Sequence, residues 1–407
     1  MHIIYSIKNL VTRVRIFYLC LIFNVLVFHL SVYAQKNQED SLFHKRRLIT
    51  EIRFDVGNVF PTNDFVRMQN SDLDGMAHYS AYSLRLARQT TGDNFWQQLY
   101  GYPYYGVGIY SATYTNIKKL GHPIAVYGFF NAPFFKVSRL SLNYELGFGL
   151  TTNFNSSDSL GSAANIAISA DKSVYIDAAV ILKYKINNRF AVNLGYGFTH
   201  FSNGRLAMPN KGLNTGSTKI SFSYALNDDP IHYQLQPKLP ISNQFEWIHS
   251  GYGGMRNMLY SAKGPDNVTK FKSVNFAVYG ISNIINRQIN YKSKLGVGFT
   301  MEYNGSQNSN VVLNDGNIDE LVLPFDRHIS LSIYPSYELV INKLSLVLQP
   351  GFYLLRKKSS DMTPMFYQRI GIKYYIMKDT FLGINLRAVK FYESDFIEWS
   401  IGHRLWW

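Results

Sequence analysis

Eleven consecutive residues, Leu140-Ser-Leu-Asn-Tyr-Glu-Leu-Gly-Phe-Gly-Leu150, carry an apolar side chain at every even position and a small or polar one at every odd position. Successive side chains of a strand point to opposite faces, so this stretch has one wholly apolar face and one polar face that carries Glu145. The same period recurs in Val174-Tyr-Ile-Asp-Ala-Ala-Val-Ile-Leu-Lys-Tyr184 and puts Asp177 and Lys183 on its polar face. Similar segments lie near 51–57, 79–87, 104–114, 123–134, 189–201, 217–227, 243–250, 273–285, 293–303, 328–341, 344–355, 366–376, 381–392 and 397–407. From Glu51 onward no segment approaches the roughly 18–20 continuous apolar residues that a spanning helix needs. Strand after strand with one apolar and one polar face is the pattern of a barrel that turns the first to lipid and the second to its interior.

The expected fold is therefore all-β, a transmembrane antiparallel β-barrel of the outer membrane over residues 50–407, with about sixteen strands. Residues 50–227 supply eight segments and 228–407 supply eight more that close the barrel. Gln244-Phe-Glu-Trp-Ile-His249 is the weakest segment, and about fourteen strands is the main alternative. Composition agrees: aromatic residues make up 15% and charged residues only 17%, with a mean hydropathy of −0.11. Short turns belong on the periplasmic side and longer loops outside. That rule places the turns near 286–292, 342–343 and 377–380 inside and the stretches 305–327 and 357–364 outside. The segment ending at His200 is then the seventh and runs outward. Apolar side chains at 399, 401, 405 and 407 share one face of the last segment, which resembles the terminal insertion signal of outer-membrane barrels. Tyr100–Tyr105 suits an aromatic girdle, with ordinary loop or core packing as the alternative.

Lys8, Arg13 and Arg15, an apolar run from Ile16 to about Leu30, and Val32-Tyr-Ala34 form the three parts of a secretory signal peptide over 1–34. Residues 35–49 read as a polar periplasmic lead-in. The one cysteine, Cys20, falls in the leader, so disulfide or thiol chemistry is not expected of the mature chain. The formal charge of +14 becomes 14 − 3 = +11 after the leader. On an exported chain such charge suits anionic lipid headgroups and argues against a nucleic-acid partner. The ten histidines show no His-x-x-x-His spacing, and no metal or other cofactor is expected. Lys118-Lys119 reads as solvated rim charge.

In Ala191–His200 the even positions Val192, Leu194, Tyr196 and Phe198 form the apolar, lipid-facing set, and His200 and Ser202 continue it. Their spacing puts a base and a hydroxyl on one face with Cα atoms roughly 6.5–7 Å apart. Asn214, at the start of the next strand, joins that face at the outer rim. A serine attacking an ester needs a base to take its proton, and the base needs a group that holds its ring. Ser202, His200 and Asn214 can fill those three roles, and an interfacial polar fringe is the plainer reading of the same residues.

The wording of this stretch, His200-Phe-Ser-Asn203 followed by Pro209-Asn210, Gly212 and Asn214, resembles the lipid A 3-O-deacylase (PagL-type) family of outer-membrane barrels. Asn165-Ile-Ala-Ile-Ser169 and Gly101-Tyr-Pro-Tyr-Tyr-Gly-Val-Gly108 are similar to its larger, acyloxyacyl-hydrolase-like members. The resemblance covers about residues 50–227. It implies a metal-free hydrolase that removes an ester-linked acyl chain from lipid A, the lipid anchor of lipopolysaccharide. It assigns Ser202 as nucleophile, His200 as general base, and Asn203 with Gly204 to the oxyanion and substrate. Two positions depart from the pattern: Asn214 stands where well-characterised members have Glu, and Arg205 where they have Gly. A non-catalytic barrel, channel or structural, is the alternative that these departures leave open.

Overall fold

The computed structural model describes residues 47–407 apart from 63–65, 67–77, 116–119, 156–166, 169, 206–207, 209, 228–232, 239, 242–243, 264–268, 308, 315–316, 322–324, 357–363, 391–392 and 407. The expected leader, most of the lead-in, Lys118-Lys119 and Pro209 lie outside the described residues.

Eight strands open the chain: β1 (Leu48–Val59), β2 (His78–Gln89), β3 (Tyr104–Tyr114), β4 (Gly121–Val137), β5 (Leu140–Phe154), β6 (Ser173–Lys185), β7 (Phe190–Ser202) and β8 (Leu213–Ala225). A short helix, α1 (Phe95–Leu99), lies between β2 and β3. Each strand pairs antiparallel with the next, and β8 returns to β1 from Ile49↔Ala225 to Val59↔Thr215, so these eight strands close as one barrel. The chain continues through β9 (Phe245–Lys263), β10 (Thr269–Gln288), β11 (Ser293–Asn304), a small hairpin of β12 (Asn310–Asn314) and β13 (Asn317–Leu321), then β14 (Ile329–Ile341), β15 (Leu344–Arg356), β16 (Phe366–Tyr375), β17 (Thr380–Val389) and β18 (Glu393–Trp406). Here β18 returns to β9, from Ile397↔Met255 to Trp406↔Glu246, and closes a second barrel.

The sixteen barrel strands coincide with the sixteen alternating segments, but they form two rings of eight strands rather than one ring of sixteen. The reason lies in the inward-facing charges. In the first ring Arg53, Arg85, Lys183 and Lys219 are buried with Glu51, Asp55, Glu145 and Asp177, four of each sign. In the second, Arg256, Lys294, Arg369, Lys373 and Arg387 are buried with Glu246, Glu302, Glu338, Asp395 and Glu398, five of each sign. An eight-stranded ring is narrow enough for such side chains to meet across it, whereas a sixteen-stranded one leaves an aqueous channel.

They do meet. Glu145 takes Arg53 at 2.6 Å and Arg85 at 2.7 Å, Arg85 also holds Glu51 at 2.6 Å, and Lys219 bridges Asp55 at 2.7 Å and Asp177 at 2.9 Å. In the second ring Arg387 joins Glu302 and Glu398, each at 2.6 Å, and Arg369 joins Glu398 at 2.7 Å. Arg53 and Lys219 are 2% exposed and Arg387 is 0% exposed, so water does not reach the centre of either ring at these residues. The outer walls are the reverse: Leu150, Leu194, Tyr196, Ile281, Ile370 and Trp399 all face outward and are exposed. This is the lipid-facing wall of a membrane barrel.

The turns at 289–292, 342–343 and 376–379 lie at one rim of the second ring, and the longer connections 305–328 and 357–365 at the other. β7 is the seventh strand and ends at the long-loop rim. The rings touch at both rims. At the short-turn rim Phe95 packs edge-on against Tyr291 with ring centroids 5.0 Å apart, and the Tyr100 hydroxyl donates to Val340 O at 2.8 Å. The Tyr100–Tyr105 cluster therefore splits rather than forming a girdle. Tyr100 is buried in the contact between rings, Tyr104 is buried with Lys183 Nζ 4.3 Å from its ring centroid, and only Tyr105 faces out among the described wall residues of this cluster.

Candidate active site

β7 keeps its alternation to the end. Thr199 and Phe201 are fully buried inside the ring, and Thr199 Oγ1 donates to Asp177 Oδ1 at 2.7 Å, so His200 must point outward. The cross-strand partner of His200 on β8 is Asn214, and its partner on β6 is Ile176. The register thus brings His200 and Asn214 together without help from a loop, and His200 Nδ1 lies 2.6 Å from Asn214 Oδ1. The other end of the amide is also held: Asn214 Nδ2 donates to Thr62 Oγ1 at 3.1 Å. With the amide so oriented, Nδ1 of His200 carries the proton and Nε2 keeps its lone pair. The ring stacks on Phe198, interplanar angle 10°, centroids 6.5 Å apart.

Ser202 is 7% exposed, and its Oγ accepts from Asn210 Nδ2 at 2.8 Å and from Gly204 N at 3.2 Å. Two donors on one hydroxyl oxygen favour negative charge there and leave its own proton free to be given away. Among the described residues no hydrogen bond joins Ser202 to His200, and none brings a carboxylate to His200. Asn203 is buried; its Oδ1 accepts from Arg205 N at 2.9 Å, which shapes the turn.

That turn runs through two successive left-handed residues, Gly204 at φ +62° and Arg205 at φ +67°. An L-residue in this region costs about 1–2 kcal/mol, which explains why a glycine suits position 205 in the family pattern. Gly204 also packs closely, because a Cβ there would lie 2.4 Å from Ile397 Cδ1 of β18 and would have to displace that side chain. Arg205 reaches the same strand, with Nη1 3.7 Å from Glu393, 3.9 Å from Asp395 and 3.4 Å from Ser394 O. Gly212, at φ +73°, would press a Cβ within 2.9 Å of His200 Cε1, and its N–H donates to Ala167 O at 2.9 Å.

His200 and Asn214 therefore meet as expected, with Ser202 two residues further along the same wall. The roles of Asn210 toward Ser202, of Thr62 toward Asn214, and of the second ring behind Gly204 were not expected. Asn210 stood inside the motif, but its side-chain direction depends on a loop whose shape the spacing does not state.

Residues 80–225 match the family described as lipid A 3-O-deacylase (PagL), and residues 245–407 match acyloxyacyl hydrolase, C-terminal domain. The first ring thus carries a match to the PagL family and the second a match to the acyloxyacyl hydrolase C-terminal domain. The first match lies within the first ring and the second begins at β9, so the division between families is the division between rings. The chain is an outer-membrane barrel protein that carries, at family level, a lipid A deacylase domain. Among solved structures, the outer membrane enzyme PagL is 19% identical over 42% of this chain and 97% of that one, with a TM-score of 0.28. The toluene transporter TodX of Pseudomonas putida is 10% identical over 88% of each chain, with a TM-score of 0.19. The monoaromatic hydrocarbon channel CymD is 11% identical, again over 88% of each, with a TM-score of 0.21. No curated protein matches the chain.

Proposed function

We propose that the chain is an outer-membrane lipid A esterase in which Ser202 is the nucleophile, His200 the general base and Asn214 the group that holds the imidazole. The observation that carries this reading is the 2.6 Å contact of His200 Nδ1 with Asn214, which leaves Nε2 as the basic nitrogen on the wall that carries Ser202. Ser202 Oγ attacks the ester carbonyl while His200 Nε2 takes its proton, and the carbonyl electron pair moves onto oxygen. The Gly204 amide, 3.2 Å from Oγ, is the backbone donor in reach of that oxyanion, with Asn203 beside it. Collapse expels the sugar alkoxide, which takes the proton back from His200. Water then attacks the acyl-serine with His200 again as base, releasing the fatty acid and restoring Ser202. The site opens on the apolar outer wall, where an ester of an outer-leaflet lipid lies.

Mass spectrometry of lipid A from cells making the native protein is expected to show a species lighter by one acyl chain that disappears with Ser202→Ala. Identical spectra would remove the esterase reading in favour of a non-catalytic barrel, which is the alternative that Asn214 in place of a carboxylate supports.

A further inference from the structure

The outward positions of β9 above His249 are Gly251, Gly253 and Met255. A Cβ on Gly251 would meet nothing within 4 Å, and one on Gly253 only Val278 O at 3.9 Å, so this strip of wall is bare backbone. Its neighbours are large. Across the β18 pairing Gly253 faces Trp399 and Gly251 faces Ile401, and across the β10 pairing they face Tyr279 and Ile281. These four side chains are 50–64% exposed and form the sides of a groove of about 850 Å³ with a glycine floor. That volume is in the range of sites that hold small organic ligands. At its lower end the groove meets a polar row: His249 pairs with Asn283 at 2.5 Å, and His403, the cross-strand partner of His249, pairs with Thr380 at 3.0 Å.

The upper end identifies the occupant. One step above Trp399 on the same wall is Ile397, and Ile397 is the residue against which Gly204 packs. The Gly204 amide in turn touches Ser202 Oγ. From Ile397 to His403 is six residues, about 20 Å of extended strand. From Ser202, Gly204 and Ile397 lead along the β18 wall to Trp399, the first of its residues to line the groove, which offers an acyl chain a path along the second ring.

We propose that the glycine-floored groove of the second ring is the acyl-chain subsite for the ester cleaved at Ser202, so that the active site spans both rings. This rests on the esterase reading above. Because Gly251 and Gly253 face open space, G251W and G253W fill the groove without crowding the barrel. On purified full-length protein in detergent, each is expected to lower kcat/KM for hexa-acylated lipid A at least tenfold while leaving hydrolysis of a short-chain butyrate ester within twofold. Unchanged lipid A turnover in both variants would overturn the proposal, as would an equal loss on both substrates. Native mass spectrometry with added lipid A supplies a readout independent of chemistry. The native protein and Ser202→Ala are expected to retain one lipid, and G253W to lose it. If the native protein shows no hydrolysis but this binding pattern holds, the esterase reading fails and the groove stands. If G253W binds lipid normally, or changes only the oligomeric state, the groove fails whatever the activity.

Discussion

Asn214 does for His200 what geometry can do and lacks what charge would add. It fixes the ring and the tautomer through a 2.6 Å contact, and Thr62 fixes Asn214. In the proposed mechanism a neutral amide would not stabilise the imidazolium formed when Ser202 gives up its proton; in the serine-protease template, exchanging the acid for its amide costs about 10⁴ in turnover. Glutamate at 214 could accept from both His200 and the Thr62 hydroxyl. Asn214→Glu is therefore expected to raise kcat on lipid A by tenfold or more with little change in KM, and Asn214→Ala to lower it. Steady-state kinetics on the purified variants decides, and a Glu variant as impaired as the Ala variant would show that charge is not what the site lacks. At this scale His200, Ser202 and Asn214 were legible, because strand period and a short motif fix which face each occupies. Asn210 and Thr62 were not, because loop side chains have no period.

Strand existence was legible almost throughout, and the two misses have physical causes. β9 extends well past the segment 243–250 because Gly251, Gly253 and Gly254 carry no side chains to continue the alternation. β12 and β13 are five residues each and sit inside what reads as one long outer loop. The end of β18 is tied to the β16–β17 turn by Asp379, which accepts from Trp406 Nε1 at 2.9 Å and from Arg404 Nη2 at 3.1 Å. The Trp406 hydrogen bond, with Arg404 beside it, holds the Asp379 carboxyl below its ordinary value. A lowered folded-state pKa contributes stability above the unfolded carboxylate pKa and loses it as pH falls through the folded value. The protection of the amides at residues 403–406, relative to their intrinsic exchange rates at each pH, is thus expected to fall on acidification below the usual carboxylate range, and Asp379→Asn to show that lower protection already at neutral pH. A pH-independent protection pattern in the native protein would contradict this.

For the whole molecule, periodicity states which face a strand shows but not which strand it joins, so sixteen strands were readable and two rings were not. The charge balance within each half, four buried charges of each sign and then five, carries that information once inward positions are known. Both centres are filled by ion pairs, and removing one partner of such a buried pair costs about 3–5 kcal/mol. Planar-bilayer recordings on the native protein are accordingly expected to show no steady conductance, and a stable open level would mean that the plugs move aside. Closure in eights has a further consequence for engineering. An even ring hands the chain back at the rim where it began, so β9 starts on the same side as β1. A second ring can therefore be appended, deleted or exchanged without turning its neighbour upside down, whereas a seven-stranded insert would invert everything after it. Adding or removing a whole ring thus leaves β7, and Ser202 at its end, running toward the same rim.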